Sequence, residues 1–232
     1  MSKDEFVITE NVSTFDGICN ELRDPTSAIG PSLAQVTGPA GRGKSEAAKR
    51  RAVKTNDIYL PPMNQRSPLM LLREIEFELT KEKHGRIESC LDVIGQEMGR
   101  ERRVLMIDEA DLLKFSILEM CRNMNERFVC PIVFIGETGL AGKLSKERRM
   151  SSRIRCKMEF NPVSQADISL YFEKSLDLGL SPSDVTLVQR HSKGDWRPIL
   201  TLAVFIERAM TASGLSKIPE GLVRQIVDER ES

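Results

Sequence analysis

Leu33-Ala34-Gln35-Val36-Thr37-Gly38-Pro39-Ala40-Gly41-Arg42-Gly43-Lys44-Ser45-Glu46-Ala47-Ala48 is the stretch on which the fold turns. Leu33 to Val36 reads as a short buried strand. Residues 38–45 fit G-x-x-x-x-G-K-[ST], the Walker A pattern, and Ala47 and Ala48 continue as a helix. The order strand, glycine-rich turn, helix is what phosphate binding requires. Glycines let the backbone wrap a phosphate chain and turn its N–H groups inward. The helix N-terminus adds positive potential. Lys44 is expected to reach the β- and γ-phosphates of ATP, and the Ser45 hydroxyl to ligate Mg²⁺. The expected ATP-binding set is Gly38, Pro39, Ala40, Gly41, Arg42, Gly43, Lys44, Ser45 and Glu46.

Moving outward, apolar runs alternate with helical patterns. Ile58-Tyr59-Leu60 is a second strand stopped by Pro61-Pro62. Ser67-Pro68 opens a helix, with Ser as cap and Pro in the first turn. Another helix is expected over 87–98. Val104 to Ile107 is a continuous apolar strand of the kind buried on both faces in a parallel sheet. A helix from about Leu112 to Glu126, a strand Ile132–Ile135 and a strand Cys156–Phe160 follow. This alternation predicts an α/β fold, a three-layer sandwich with a five-stranded parallel sheet. After Pro162 only helical patterns remain, at 164–178, 182–192, 196–213 and 219–230. The expected domains are therefore a core with a short N-terminal segment at 1–162 and a small all-helical domain at 163–232.

The strand Val104–Ile107 ends in Asp108-Glu109, sixty-four residues after Lys44. Carboxylates at a strand's C-terminal end face the crevice where open α/β sheets bind ligands. Asp108 is expected to hold Mg²⁺ through water, and Glu109 to orient and activate an attacking water.

The 232 residues are 40% hydrophobic and 29% charged, ordinary for a globular protein. No apolar run is long enough to span a bilayer, and no signal-peptide stretch is present. Five scattered cysteines without a C-x-x-C pair, and two histidines, argue against a zinc site and for a reduced, cytoplasmic protein. Net charge is zero, so nothing global announces a nucleic-acid binder. Charge is clustered, however. Residues 38–54 carry six bases against Glu46, and residues 142–157 carry seven against Glu147. Such clusters are solvated faces, phosphate-binding surfaces or subunit contacts.

Together these residues resemble the AAA+ ATPases, over about 6–230. In that resemblance Gly136-Glu137-Thr138 stands where the family places its polar sensor-1 residue. Ser152-Arg153-Ile154 resembles the arginine-finger segment, in which Arg153 would enter the neighbouring subunit's ATP site, with Arg149 as the alternative. Gly194-Asp195-Trp196-Arg197 resembles the sensor-2 motif of the lid, with Arg197 facing the phosphates. The expected catalytic set is Glu109, Lys44, Arg153, Thr138 and Glu137. Glu137 departs from the family's Asn or Thr, and an ionised Glu only accepts hydrogen bonds. Either Thr138 takes the role, or hydrolysis is slow, or Glu137 points elsewhere.

A narrower resemblance rests on Gly41–Arg50, Glu76-Phe77-Glu78-Leu79, Ile107-Asp108-Glu109-Ala110-Asp111 and Ser152-Arg153-Ile154. These are similar to the target-selection ATPases of transposons, the phage Mu B protein family. That resemblance implies an ATP-dependent filament or ring on duplex DNA, which delivers target DNA to a DDE transposase and stimulates it. The Mu protein carries a helix-turn-helix domain before its core. This chain starts almost at the core, so DNA contacts are expected from the ATPase domain itself. DNA-facing loops of AAA+ assemblies follow the second strand. Arg66 is the first candidate phosphate contact, with Lys81, Lys83 and Arg86 secondary. The rival readings are a helicase-loader or initiator ATPase of DNA replication, and an ATPase attached to secretion machinery.

Overall fold

The computed structural model describes residues 6–26, 30–62 and 67–231. The chain divides into two compact units. The larger, Val12–Pro39 with Lys44–Phe160, is built on five parallel strands. These are β1 (Leu33–Thr37), β2 (Ile58–Leu60), β3 (Leu105–Ile107), β4 (Ile132–Ile135) and β5 (Ile154–Glu159), in the spatial order β2-β3-β4-β1-β5.

Alternation along each strand sends successive side chains to opposite faces. Leu33, Leu105, Ile107, Ile132 and Phe134 enter one apolar layer; Ala34, Val36, Met106, Val133 and Ile135 enter the other. The first layer is completed by α3 (Pro68–Thr80), α4 (Ile87–Arg100) and α5 (Phe115–Phe128), through Leu72, Ile75, Ile94, Leu118 and Cys121. The second is completed by α1 (Glu10–Arg23) and α2 (Lys44–Thr55). The expected three-layer parallel architecture is therefore the one found.

Three elements differ from the sequence reading. Residues 10–23 form α1, whose Val12, Phe15, Cys19 and Leu22 are all buried. The helix expected from Leu112 is split. A 3-10 turn at Ala110–Leu112 ends in extended Leu113, and α5 begins only at Phe115. The carbonyls of Asp111 and Leu113 accept from Lys143 Nζ, which holds that break open. Finally β5 begins at Ile154 because that residue pairs with Leu33. Two short helices, α6 (Gly139–Ser145) and α7 (Arg148–Ser151), lie in the basic run before it.

The smaller unit is Asn161–Ser232 together with Ala40–Gly43 and the chain's start through Asn11. Its helices α8 (Gln165–Leu176), α9 (Pro182–Ser192), α10 (Trp196–Ser213) and α11 (Leu222–Glu231) enclose Ile168, Phe172, Val188, Ile199, Ile206 and Val223. Ser164 and Asp167 form a reciprocal capping box on α8, and Ser181 caps α9 ahead of Pro182. Tyr171 packs edge-on against Trp196 at 5.6 Å, so the tryptophan belongs to this unit's core. No described helix is long and apolar enough to cross a membrane.

Candidate functional site

β1 is buried along its whole length and delivers the chain into the glycine-rich loop; α2 starts at Lys44. Lys44 is itself buried, and its Nζ donates to the carbonyls of Gly38 and Pro39 at 2.7 and 2.8 Å. The ammonium thus lies inside the loop it is expected to serve. Gly38 cannot carry a side chain cheaply. Its φ is +148°, and a Cβ there would stand 3.1 Å from the Phe160 carbonyl oxygen. At the loop's tip Gly41 has φ +78°, and a Cβ would stand 1.9 Å from Asp195 Oδ1. The tip is clasped within the smaller unit. Trp196 N donates to Gly41 O at 2.9 Å, and Arg42 donates to the carbonyls of Lys193 and Gly194. The Arg42 side chain is therefore held by protein carbonyls. Glu46 is exposed and paired with Lys49 at 2.7 Å.

Asp108 follows β3 directly and is 6% exposed. Its N–H continues the ladder by donating to Leu60 O, and its Oδ1 accepts from Glu109 N at 2.9 Å. Its Oδ2 accepts from the Tyr59 hydroxyl at 2.8 Å. Burial first, then the bond to Asp108, raises the phenol above its ordinary range, so Tyr59 is a neutral donor at physiological pH. The signal for Tyr59 lay in strand pairing, Tyr59 with Met106 two residues before Asp108, and sequence reading alone did not find it. Ser45 Oγ and the Asp108 carboxylate are hard oxygen donors, the chemistry that fits a small divalent cation such as Mg²⁺.

Glu109 is exposed and has left-handed backbone angles, φ 48° and ψ 39°. A non-glycine residue there carries strain of about 1 kcal/mol or more, typical of positions whose side-chain direction matters.

A family model described as AAA domain matches residues 29–144, half of the chain. The chain belongs to the AAA domain family. It is 32% identical over 134 residues to a potential ATP-binding protein of Staphylococcus aureus, covering 54% of this chain and 49% of that one. It is 26% identical over 151 residues to ATP-dependent target DNA activator B of Escherichia phage Mu, covering 61% and 48%. The chain thus spans about half the length of the curated relatives it matches. Among solved structures it is similar to the Aeropyrum pernix ORC1 protein in complex with DNA. There the TM-score is 0.66 at 18% identity, over 97% of this chain and 66% of that one. The narrower resemblance to the Mu B type agrees with these matches, and the AAA domain fold accounts for a nucleotide-binding loop at the end of β1.

The other residues singled out in the sequence lie as follows. Glu137 and Thr138 are both exposed beyond β4, and Thr138 precedes α6 without a side-chain capping bond. Glu137 N donates to Asp111 Oδ1 at 3.1 Å. Asp111 thereby ties the segment after β3 to the segment after β4. A Cβ on Gly136 would meet the same carboxylate oxygen at 2.4 Å. Arg153 lies in an open cleft of about 570 Å³, lined by Arg122, Glu126, Arg148, Arg149 and Ser152. Its Nε donates to Glu126 Oε1 at 2.7 Å. Lys143, one of the seven bases of the 142–157 run, turns its ammonium onto backbone carbonyls. Arg197 is exposed in the first turn of α10, its N–H capped by Asp195.

Arg66 lies outside the described residues. Lys81 pairs with Glu78 at 3.3 Å and Lys83 with Glu74 at 2.5 Å, and both ammonium groups lie over the Phe77 ring. Arg86 is exposed at the start of α4. The Arg100, Arg102, Arg103 cluster is used internally: Arg100 on Glu97, Arg102 on the Leu22 carbonyl, Arg103 on Glu101.

Proposed function

We propose that this chain is an ATP-dependent, largely sequence-nonspecific DNA-binding ATPase that oligomerises on target DNA, delivers it to a DDE transposase and stimulates that enzyme. The observation that carries the reading is the Walker pair, with Lys44 buried in the loop after β1 and Asp108 buried at the end of β3, in a chain similar to a target DNA activator.

In this reading Lys44 and the loop N–H groups bind the phosphates of ATP. Ser45 and Asp108 would hold Mg²⁺, which would supply positive charge against that developing on the phosphates. Glu109 orients the attacking water and accepts its proton. Arg153 of one protomer completes the site of the next, so that ATP binding drives filament or ring assembly on duplex DNA. Hydrolysis then dissolves the assembly. The exposed Glu137 favours a slow basal rate raised by DNA or transposase. Such a protein works in the cytoplasm of a bacterial host.

The test is duplex-DNA binding with ATP, with ADP and without nucleotide, at two salt concentrations, with electron microscopy of the same samples. Binding that needs ATP, weakens with salt and yields filaments or rings is the expected result. Filaments formed with ATP by Lys44→Ala would sink the mechanism. The rival loader or initiator reading draws on the similarity to ORC1 over nearly the whole chain. Activation of a replicative helicase, with no effect on strand transfer by a transposase, would replace the first reading with that one.

A further inference from the structure

We propose that Asp111 is a positioning residue for ATP hydrolysis: it staples the turn that carries Glu109 to the segment beyond β4, and so fixes where the Glu109 carboxylate stands. This rests on the reading of Glu109 as the residue that orients the attacking water.

The turn after β3 has little support of its own. It is a single 3-10 turn, closed by Leu112 N on Glu109 O at 3.0 Å and by Leu113 N on Ala110 O at 3.2 Å. Bonds of that kind have poorer geometry than those of an α-helix. Glu109 stands at its entrance with left-handed backbone angles, φ 48° and ψ 39°. A non-glycine residue keeps such angles only where its surroundings over-determine them.

Asp111 ties the turn down from two sides. Its Oδ1 accepts from Glu137 N at 3.1 Å, and its backbone carbonyl accepts from Lys143 Nζ at 2.8 Å. The same ammonium reaches the Leu113 carbonyl. Glu137 precedes α6 and Lys143 lies within it, so both bonds join the turn to one neighbouring segment. That segment is itself anchored. Gly136 N donates to Val36 O at 3.0 Å, in the strand that runs into the phosphate loop. Gly136 also leaves the space that the carboxylate takes, since a Cβ there would stand 2.4 Å from Asp111 Oδ1. Glu109 and the phosphate loop are thus referred to one support, β1, by way of Asp111, Glu137 and Gly136.

A water-activating carboxylate has to stand within hydrogen-bond reach of that water. A displacement of about 1 Å costs on the order of 10²-fold in rate. A staple that served stability alone would leave turnover untouched. A carboxylate that acted by its own charge would not tolerate an amide in its place.

The proteins that separate these roles are the unaltered chain, Asp111→Ala, Asp111→Asn, Glu109→Gln and the double variant of Glu109→Gln with Asp111→Ala. For each, kcat is measured with and without duplex DNA, well below the unfolding midpoint, and affinity is measured with a non-hydrolysable ATP analogue. Asp111→Ala should lower kcat by about ten- to hundredfold while analogue affinity stays within about twofold. Asp111→Asn keeps an Oδ1 acceptor for Glu137 N and should hold kcat within about threefold of the unaltered chain. Because Asp111 acts through Glu109, the double variant should be no slower than Glu109→Gln alone. Lys143→Met releases the other bond to the same turn and should show the same split, lower kcat at unchanged affinity, which decides the matter if Asp111→Ala does not fold. An unaltered kcat in Asp111→Ala, an Asp111→Asn as slow as Asp111→Ala, or losses that multiply in the double variant would overturn the proposal. Should Glu109→Gln hydrolyse ATP as fast as the unaltered chain, the reading of Glu109 falls, and the proposal with it.

Discussion

Arg153 Nε donates to Glu126 Oε1 at 2.7 Å, and three more arginines, Arg122, Arg148 and Arg149, line the same open cleft. One carboxylate among four guanidinium groups leaves the cleft strongly positive. The bond uses Nε alone and leaves the terminal nitrogens of Arg153 for an incoming anion. Glu126 and Arg153 are each more than 40% exposed, so the pair itself contributes at most about 1 kcal/mol to stability. An arrangement this weakly held is easily exchanged for phosphate, which is what the proposed role of Arg153 demands.

The consequence is a complementation experiment. Arg153→Ala should lose ATPase activity by a factor on the order of 10³, the range seen for arginine fingers, while binding ATP normally. Mixing it with Lys44→Ala should restore part of the rate, because one protein supplies the intact finger and the other the intact loop. Glu126→Gln keeps an acceptor for Nε and should retain most activity, whereas Glu126→Ala should not. Mixtures that stay inactive would move the finger to another residue, with Arg149 next in line.

A second prediction concerns stability. Arg51 is 2% exposed and holds Asp57 at 2.7 Å, Asn20 at 3.0 Å and the Asp16 carbonyl at 3.2 Å. Asp57 also accepts from Val104 N at 2.9 Å, so one carboxylate ties α2 to the start of β3. Removing Asp57 leaves the buried Arg51 with only the longer ion pair to Asp16 Oδ1, at 3.4 Å, and leaves Val104 N without its acceptor. Asp57→Ala should cost about 3–5 kcal/mol in denaturant unfolding. A loss below about 1 kcal/mol would mean that water reaches Arg51 readily.

These two arginines show what the sequence could convey. The parallel strands and the phosphate loop were legible because Leu33–Val36, Val104–Ile107 and Ile132–Ile135 are continuous apolar runs and the glycine-rich turn follows the first of them; the strand order was not. The role of Arg51 was not legible. It sits in a basic run that reads as a solvated or phosphate-facing surface, and only the approach of α1 buries it. The helix α1 did have a readable pattern in Val12, Phe15, Cys19 and Leu22, obscured by six acids in the first 24 residues. Tyr59 was illegible for a different reason: its partner at Asp108 is 49 residues away and reached only through strand register.

The loop after α3 gives a pH prediction. Glu76 has no exposed side-chain surface and accepts from both the backbone N and the ring Nδ1 of His84. Burial works against the Glu76 charge, but the bonds from His84 outweigh it, and its carboxyl titrates below its ordinary value. The bond from Glu76 and its charge raise His84 above its ordinary value of 6.5. A raised His stabilises the fold below its unfolded pKa, and that contribution disappears as pH rises through the folded value. A lowered Glu stabilises the fold above its unfolded pKa of 4.5 and loses its contribution as pH falls through the folded value. The pair should therefore be most effective between 4.5 and 6.5 and fade above that window. Thermal unfolding of the unaltered chain should show this component and His84→Ala should lack it; identical pH profiles would remove the pair from the account.

DNA binding by the same loop should be uneven across its three bases. Lys81 and Lys83 are each paired with a glutamate of α3 and lie over Phe77, so a phosphate must compete with a partner already in place. Arg86 stands at the exposed start of α4 and offers a planar fork suited to phosphate. Each phosphate neutralised contributes about 0.9 to the slope of log affinity against log salt. Arg86→Ala should therefore lower that slope by about one in the ATP-bound assembly, with Lys81→Ala and Lys83→Ala each lowering it by less. The double change Glu74→Gln and Glu78→Gln releases both lysines and should raise DNA affinity without altering ATP affinity. If all five changes leave the salt slope unaltered, the loop after α3 does not touch DNA, and the contact must be sought on other surfaces of the core.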